Sequence, residues 1–204
     1  MTCRRSTRTS TWTSPRWRRR ETRRVIVLGI DPGTATTGYG VVSGVPSGLI
    51  SLVECGVIRT RPRDPLAVRL REIYEGVMEL IARHQPQAIS VEDVFYSRNV
   101  RTTVVLGHAR GVVLLAGAQA RLDVHEYPPA EIKKAVAGTG AATKEQVQFM
   151  LTRLLRLKSV PTPSDAADGV AAALTYMMSA HLPSIASHGG YASPRAKLTT
   201  PFRR

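Results

Sequence analysis

Two rhythms of apolar and polar positions run along this chain, and the points where one gives way to the other mark its elements. Val25–Asp31 (VIVLGID) is an apolar run too short for a helix and closed by an acid and a Pro-Gly turn, which predicts a buried strand. Gly38–Ser43 and Leu49–Thr60 are rich in β-branched residues and are separated by a Gly/Pro/Ser turn at Gly44–Gly48. They predict two further strands in hairpin succession. Asp64 then supplies a helix cap and Pro65 a proline suited to the first helical position. Leu66, Leu70, Ile73, Val77, Leu80 and Ile81 recur at helical spacing as far as His84.

The rhythm switches back at Ala88–Phe95 (AISVEDVF), a strand, and again at Asn99–Arg121, a helix carrying Gly107, Gly111 and Gly117. Gly107 and Gly111 stand one helical turn apart and open a surface on which another helix can approach, either within the domain or across a dimer seam. Leu122–Tyr127 reads as a short strand and Pro129–Ala137 as a short helix. After a Gly138–Gly140 loop, a further helix runs from Lys144 to about Leu157. Pro161 and Pro163 break the chain, and Ser164 caps a last helix from about Asp165 to Ala180. Three strands in meander followed by alternating helices and strands predict an α/β fold, with a mixed sheet flanked by helices on both faces.

Neither end shares this patterning. Residues 1–24 are Arg-, Ser- and Thr-rich without period, and are expected to be disordered. They fit a DNA-clinging arm, an organelle transit peptide, or a start assigned too far upstream of a domain that opens near Val25; the abrupt onset of VIVLGI favours the third. Residues 183–204, rich in Ser, Gly, Pro and basic side chains, read as a flexible tail, which leaves 25–182 as one folded domain.

Composition narrows the setting. At 204 residues and 43% hydrophobic, the chain can bury a core and is not disordered throughout. It has no apolar window long enough to span a bilayer, so no membrane role is expected. Two cysteines, Cys3 and Cys55, exclude a disulfide scaffold and a Cys-rich zinc site, and suit a reducing compartment such as the cytoplasm. The net charge of +14 divides into +8 on residues 1–24 and +6 on the remainder, and both parts lean toward a polyanionic partner.

Against this basic balance, four acids stand in awkward places. Asp31 ends the first buried strand, where a carboxylate is costly unless it faces a site, although Asp-Pro-Gly is also ordinary turn chemistry. Glu92 lies inside an otherwise apolar strand; alternation sends it to the face of Ser90 and sends Asp93 to the face of Ile89 and Val91. Asp165 and Asp168 share one face of the last helix's first turn, where the helix dipole alone would also favour acids. Together they have a stronger meaning. Gathered at one end of a small mixed sheet, these carboxylates would repel one another, and hard divalent cations would relieve them. Two such ions can clamp a phosphodiester for in-line displacement. The five scattered histidines show no ligand spacing and read as structural or surface residues.

The segments GIDPGTATTGYG (29–40), ISVEDVF (89–95), PAEIKKAVAGTGAATKEQVQF (129–149) and SDAADGVAAAL (164–174), in this order, resemble the RuvC family of Holliday junction resolvases over about residues 25–182. The resemblance implies an RNase H-like (retroviral integrase-like) fold and a homodimer that cuts four-way junction DNA with Mg²⁺, two ions per subunit, Mn²⁺ being a substitute. It implies symmetric nicks that leave 5′-phosphate and 3′-hydroxyl ends in recombination and repair, and the RuvAB branch-migration complex as partner. It also implies a cytoplasmic, nucleoid-associated setting, with organelle targeting by residues 1–24 left open. By the same resemblance Asp31, Glu92, Asp165 and Asp168 are the catalytic metal ligands, with Asp31 bridging. Phe95, Lys133 and Lys144 contact DNA. Apart from the resemblance, Arg98 and Arg101 follow Phe95 in a polar loop and helix start, a position from which phosphate contacts are expected.

Asp31-Pro32-Gly33-Thr34 through Gly38 also looks like the phosphate hairpin of actin-like ATPases and sugar kinases, but no second lobe is present to complete that architecture. A binder that has lost its acids and another RNase H-fold nuclease, such as an RNA–DNA hybrid cutter, are the remaining alternatives.

Overall fold

The computed structural model describes residues 24–45, 48–93 and 100–179. Phe95, Arg98, residues 1–23 and the 183–204 tail lie outside the described residues, as do the expectations attached to them.

The element order is β1 (Val25–Asp31), β2 (Thr36–Gly44), β3 (Ile50–Arg59), α1 (Leu66–His84), β4 (Ala88–Glu92), α2 (Val100–Gln119), β5 (Asp123–Tyr127), α3 (Pro129–Ala137), α4 (Lys144–Leu154) and α5 (Ser164–Ser179). The five strands form one mixed sheet in the order β3-β2-β1-β4-β5. β1–β2 and β2–β3 are antiparallel, and β4 lies parallel to both β1 and β5. β1, β3, β4 and β5 therefore all end on the same side of the sheet, and Asp31 and Glu92 are the last residues of two adjacent central strands.

Strand alternation sorts the side chains into two cores. Leu28, Ile30, Val41, Ile89 and Val91 pack against Ile73, Val77 and Leu80 of α1 and Ala109, Val113 and Ala116 of α2. Val27 and Val42 point the other way, toward α3, α4 and α5. The same alternation turns Asp31, Ser90 and Glu92 to the α5 face, and the Ser90 hydroxyl donates to the Ala172 carbonyl at 2.6 Å.

Glycines bring α5 against the sheet. A Cβ on Gly38 would lie 1.9 Å from the Asp165 carbonyl oxygen, and one on Gly29 would lie 2.2 Å from that of Gly169. On Gly40 it would meet the Val170 Cα at 2.5 Å, and on Gly169 the Tyr39 Cα at 2.6 Å. Helix and strand backbones touch directly there, which fixes the height of the first turn of α5 above the end of β1.

Several element ends differ from the sequence reading. Asp64 does not cap α1: Pro65 occupies the cap position without a side-chain bond, and its carbonyl accepts from Val68 and Arg69. β4 ends at Glu92, with Asp93 outside it; the Asp93 amide still bonds to the Tyr127 carbonyl at 2.9 Å. α4 ends at Leu154 and not near Leu157, because the chain turns through a left-handed residue, Arg156. Ser164 is the first residue of α5 rather than its cap. Gly107 and Gly111 serve no packing among the described residues, since a Cβ at either would meet none of them within 4 Å. Among the described residues no helix is long and apolar enough to cross a membrane.

Candidate active site

Three elements deliver the acids. Asp31 comes from the end of β1, held by its turn: the Thr37 hydroxyl donates to the Gly33 carbonyl at 2.6 Å. Asp165 and Asp168 come from the first turn of α5. One carboxylate oxygen from each of Asp31, Asp165 and Asp168 lies within 4.8 Å of the other two, and all three residues are half-buried. Glu92 is not part of that tight group. It lines the adjoining cleft of about 210 Å³ together with Asp31, Asp168, Lys133, Lys144 and the apolar walls Ile132 and Val147. Asp31 and Asp168 thus belong to both sets, with Asp165 on one side and Glu92 on the other.

Electrostatics follow from that crowding. Burial, then the charges of Asp168 and Asp165, push Asp31 up to about 6, and Lys144 partly opposes them. Burial, then Asp31 and Asp168, push Glu92 up to about 8, against Lys144 and Lys133. Lys144 answers the cluster directly: its Nζ donates to Asp168 Oδ2 at 2.7 Å. Burial works against the Lys144 charge, but that bond and the acids around it hold its pKa above the ordinary lysine value. Lys144 is placed by the start of α4, where Thr143 and Gln146 close a reciprocal capping box.

The donor set fits hard divalent cations. It is made only of carboxylate oxygens, it gathers four acids against two lysines, and among the described residues no Cys or His lies in it. Of the sequence-predicted residues, the structure brings together Asp31, Glu92, Asp165, Asp168, Lys133 and Lys144.

Sequence reasoning missed two supports. Arg110 of α2 ion-pairs with Asp93 (Nε–Oδ1 3.2 Å) and with Glu126 of β5, so it straps the strand end next to Glu92 to its neighbour. Thr60 is buried and donates to the Thr34 carbonyl, bracing the β1–β2 turn. The patterning of α2 held a signal for the first, an arginine set among the apolar and small residues of the helix's second half; nothing local marked the second. The histidines among the described residues stay outside the site: His84 pairs with Glu54 at 2.8 Å and His125 packs on the Tyr176 ring.

A family profile described as "Crossover junction endodeoxyribonuclease RuvC" matches residues 27–176. A relative of that description from Desulforamulus reducens is 45% identical over 152 residues, covering 74% of this chain and 93% of its own. One from Halorhodospira halophila is 50% identical over 151 residues, covering 74% and 88%. Among solved structures, Thermus thermophilus RuvC in complex with a Holliday junction substrate superposes with a TM-score of 0.73 at 38% identity, over 76% of this chain and 94% of that one. The yeast mitochondrial Holliday junction resolvase Ydc2, at 16% identity and a TM-score of 0.54, shares the fold.

Proposed function

The chain belongs to the RuvC family of crossover junction endodeoxyribonucleases, and from that premise we propose how its own residues resolve a Holliday junction. It is a nuclease of RNase H-like fold that acts on four-way junction DNA and uses a divalent metal. The observation that carries the mechanism is the overlap of the two acid sets on Asp31 and Asp168.

That overlap supports two cation positions per subunit, which Asp31, Asp168, Glu92 and Asp165 would hold between them. Mg²⁺ is the expected ion and Mn²⁺ a workable substitute. When bound, such a pair activates a water for attack and balances charge on the scissile phosphate. The chain supplies the rest. Asp31, Asp165 and Asp168 are held in register by the glycine contacts beneath them. Lys133 stands at the cleft wall to meet a backbone phosphate. Lys144, now bonded to Asp168, would be available for the same role if a cation were held by that carboxylate. In-line hydrolysis leaves a 5′-phosphate and a 3′-hydroxyl, ends that a ligase can reseal. Phe95, after β4 in the sequence, is assigned to stack on an unpaired base at the open centre of the junction, and Arg98 to a backbone phosphate.

Two opposed cuts call for two sites. We assign the homodimer seam to the open face of α2, where Val100, Val104 and Leu115 are exposed beside Gly107 and Gly111 at helical spacing. We further assign residues 25–182 as the nuclease domain, a cytoplasmic, nucleoid-associated setting, and cooperation with the RuvAB branch-migration complex.

The test is a synthetic four-way junction with and without Mg²⁺, beside a linear duplex. Asp31→Asn should lower cutting by roughly 10³-fold or more while junction affinity stays within a few-fold, because it removes charge at the cation and not on the DNA-facing side. Cutting that survives this change, or that persists in excess chelator, would refute the assignment.

A further inference from the structure

On the β3 side of the acids lies a second basic feature. β3 ends in Arg59, and the loop that follows carries Arg61 and Arg63; all three arginines are exposed. Among the described residues, none of their guanidinium groups makes an ion pair. The loop backbone is fixed. Thr60 donates its amide to Ala35 at 3.1 Å and its hydroxyl to Thr34, and accepts from Arg69 Nε at 3.0 Å. The Asp64 amide closes a turn on the Arg61 carbonyl at 3.0 Å. Thr34 and Ala35 belong to the turn that follows Asp31, so the loop and the first acid share one frame.

Position gives the charge a meaning. Register places Asp31 opposite Gly38, Gly38 opposite Val57, and Arg59 two residues beyond. Two strand spacings of ~4.8 Å and a rise of ~3.4 Å per residue set the Arg59 backbone roughly 12 Å from that of Asp31. α3, with Lys133, follows β5 at the opposite edge of the sheet. The acids therefore sit between two cationic banks. Duplex DNA presents a phosphate charge every ~1.7 Å along its axis. A strand whose scissile phosphate rests on the acids must carry its neighbouring phosphates over one bank or the other.

We propose that Arg59, Arg61 and Arg63 form a second phosphate-binding edge, which holds the duplex arm of the junction a few nucleotides from the cut. The proposal rests on the junction-resolving reading and adds a surface to it. The edge reads backbone and not sequence, so it acts on affinity and arm orientation.

The test measures binding of the full chain to a four-way junction in chelator, across a salt series. R59Q/R61Q/R63Q should bind at least ~10-fold more weakly at moderate salt, with the log–log salt slope reduced by ~2–3 per subunit, at ~0.9 per lost phosphate contact. R61Q alone, on a solvated loop, should lose about a third of that slope and guards against a misfolded triple variant. R71Q, whose guanidinium already pairs with Glu75 on α1, should change neither quantity. An unchanged slope in the triple variant, or an equal loss in R71Q, overturns the proposal. Wild-type protein that fails to cut the junction at all would instead overturn the underlying reading.

Discussion

Asp31 and Glu92 were visible in the sequence as acids in buried strands, and strand alternation already separated Glu92 from Asp93. The sequence held no sign that Lys144 would bond to Asp168, because the two lie 24 residues apart and only the packing of α4 beside α5 joins them. The raised acids set a pH dependence. In the metal-free protein Asp31 and Glu92 hold protons to higher pH when folded, near about 6 and about 8, than their ordinary values of 3.8 and 4.5. At these two groups folding therefore takes up protons, and their contribution to stability is fullest below their ordinary values and is lost as pH rises through about 6 and about 8. Glu92→Gln should flatten this profile and leave the metal-free protein more stable than wild type at alkaline pH, by a few kcal/mol at ~1.4 kcal/mol per pH unit. Chemical denaturation across pH in chelator checks it. Cation binding must displace the same protons, so Mg²⁺ affinity should climb through that pH range and then level off, with proton release measured by calorimetry in buffers of different ionisation enthalpy.

At the scale of elements, apolar patterning and turn signals recovered the strands and helices of the described residues in order, because most of them bury a face of their own period and Gly and Pro mark the breaks. Ends were less legible. The end of α4 depends on a left-handed residue at Arg156, and that of β4 on where β5 stops pairing with it; neither is a local property. The contact between α5 and the strands was also hidden, since a glycine in a strand reads equally as a weakness or as a close approach. Gly38→Ala tests the second meaning. The added methyl would press on the Asp165 carbonyl and lift the first turn of α5, so stability should fall by about 2–4 kcal/mol, beyond the usual cost of overpacking, because backbone must move. Urea denaturation measures that loss. Weakened Mg²⁺ binding in the folded variant would show that the metal ligands moved with the helix.

At the scale of the molecule, charge across the described residues is arranged as an acidic centre between basic banks, an arrangement that the full chain's total of +14 conceals because it carries no positions. The apolar face of α2 was likewise ambiguous in sequence, since an all-round apolar helix suits a core as well as a subunit seam. The exposure of Val104 and Leu115 in the folded chain favours the seam. Val104→Asp with Leu115→Asp should convert a dimer to a monomer by light scattering, leave the melting temperature of the isolated chain within a few degrees, and replace paired cuts by isolated nicks. The direct backbone contacts of Gly29, Gly38, Gly40 and Gly169 carry a consequence for how such a chain can vary. No residue is smaller than glycine, so every exchange at these positions enlarges the side chain. Mutational drift along this line has a single direction, and it wedges apart the two halves of the catalytic cluster; a neutral path through these four positions does not exist.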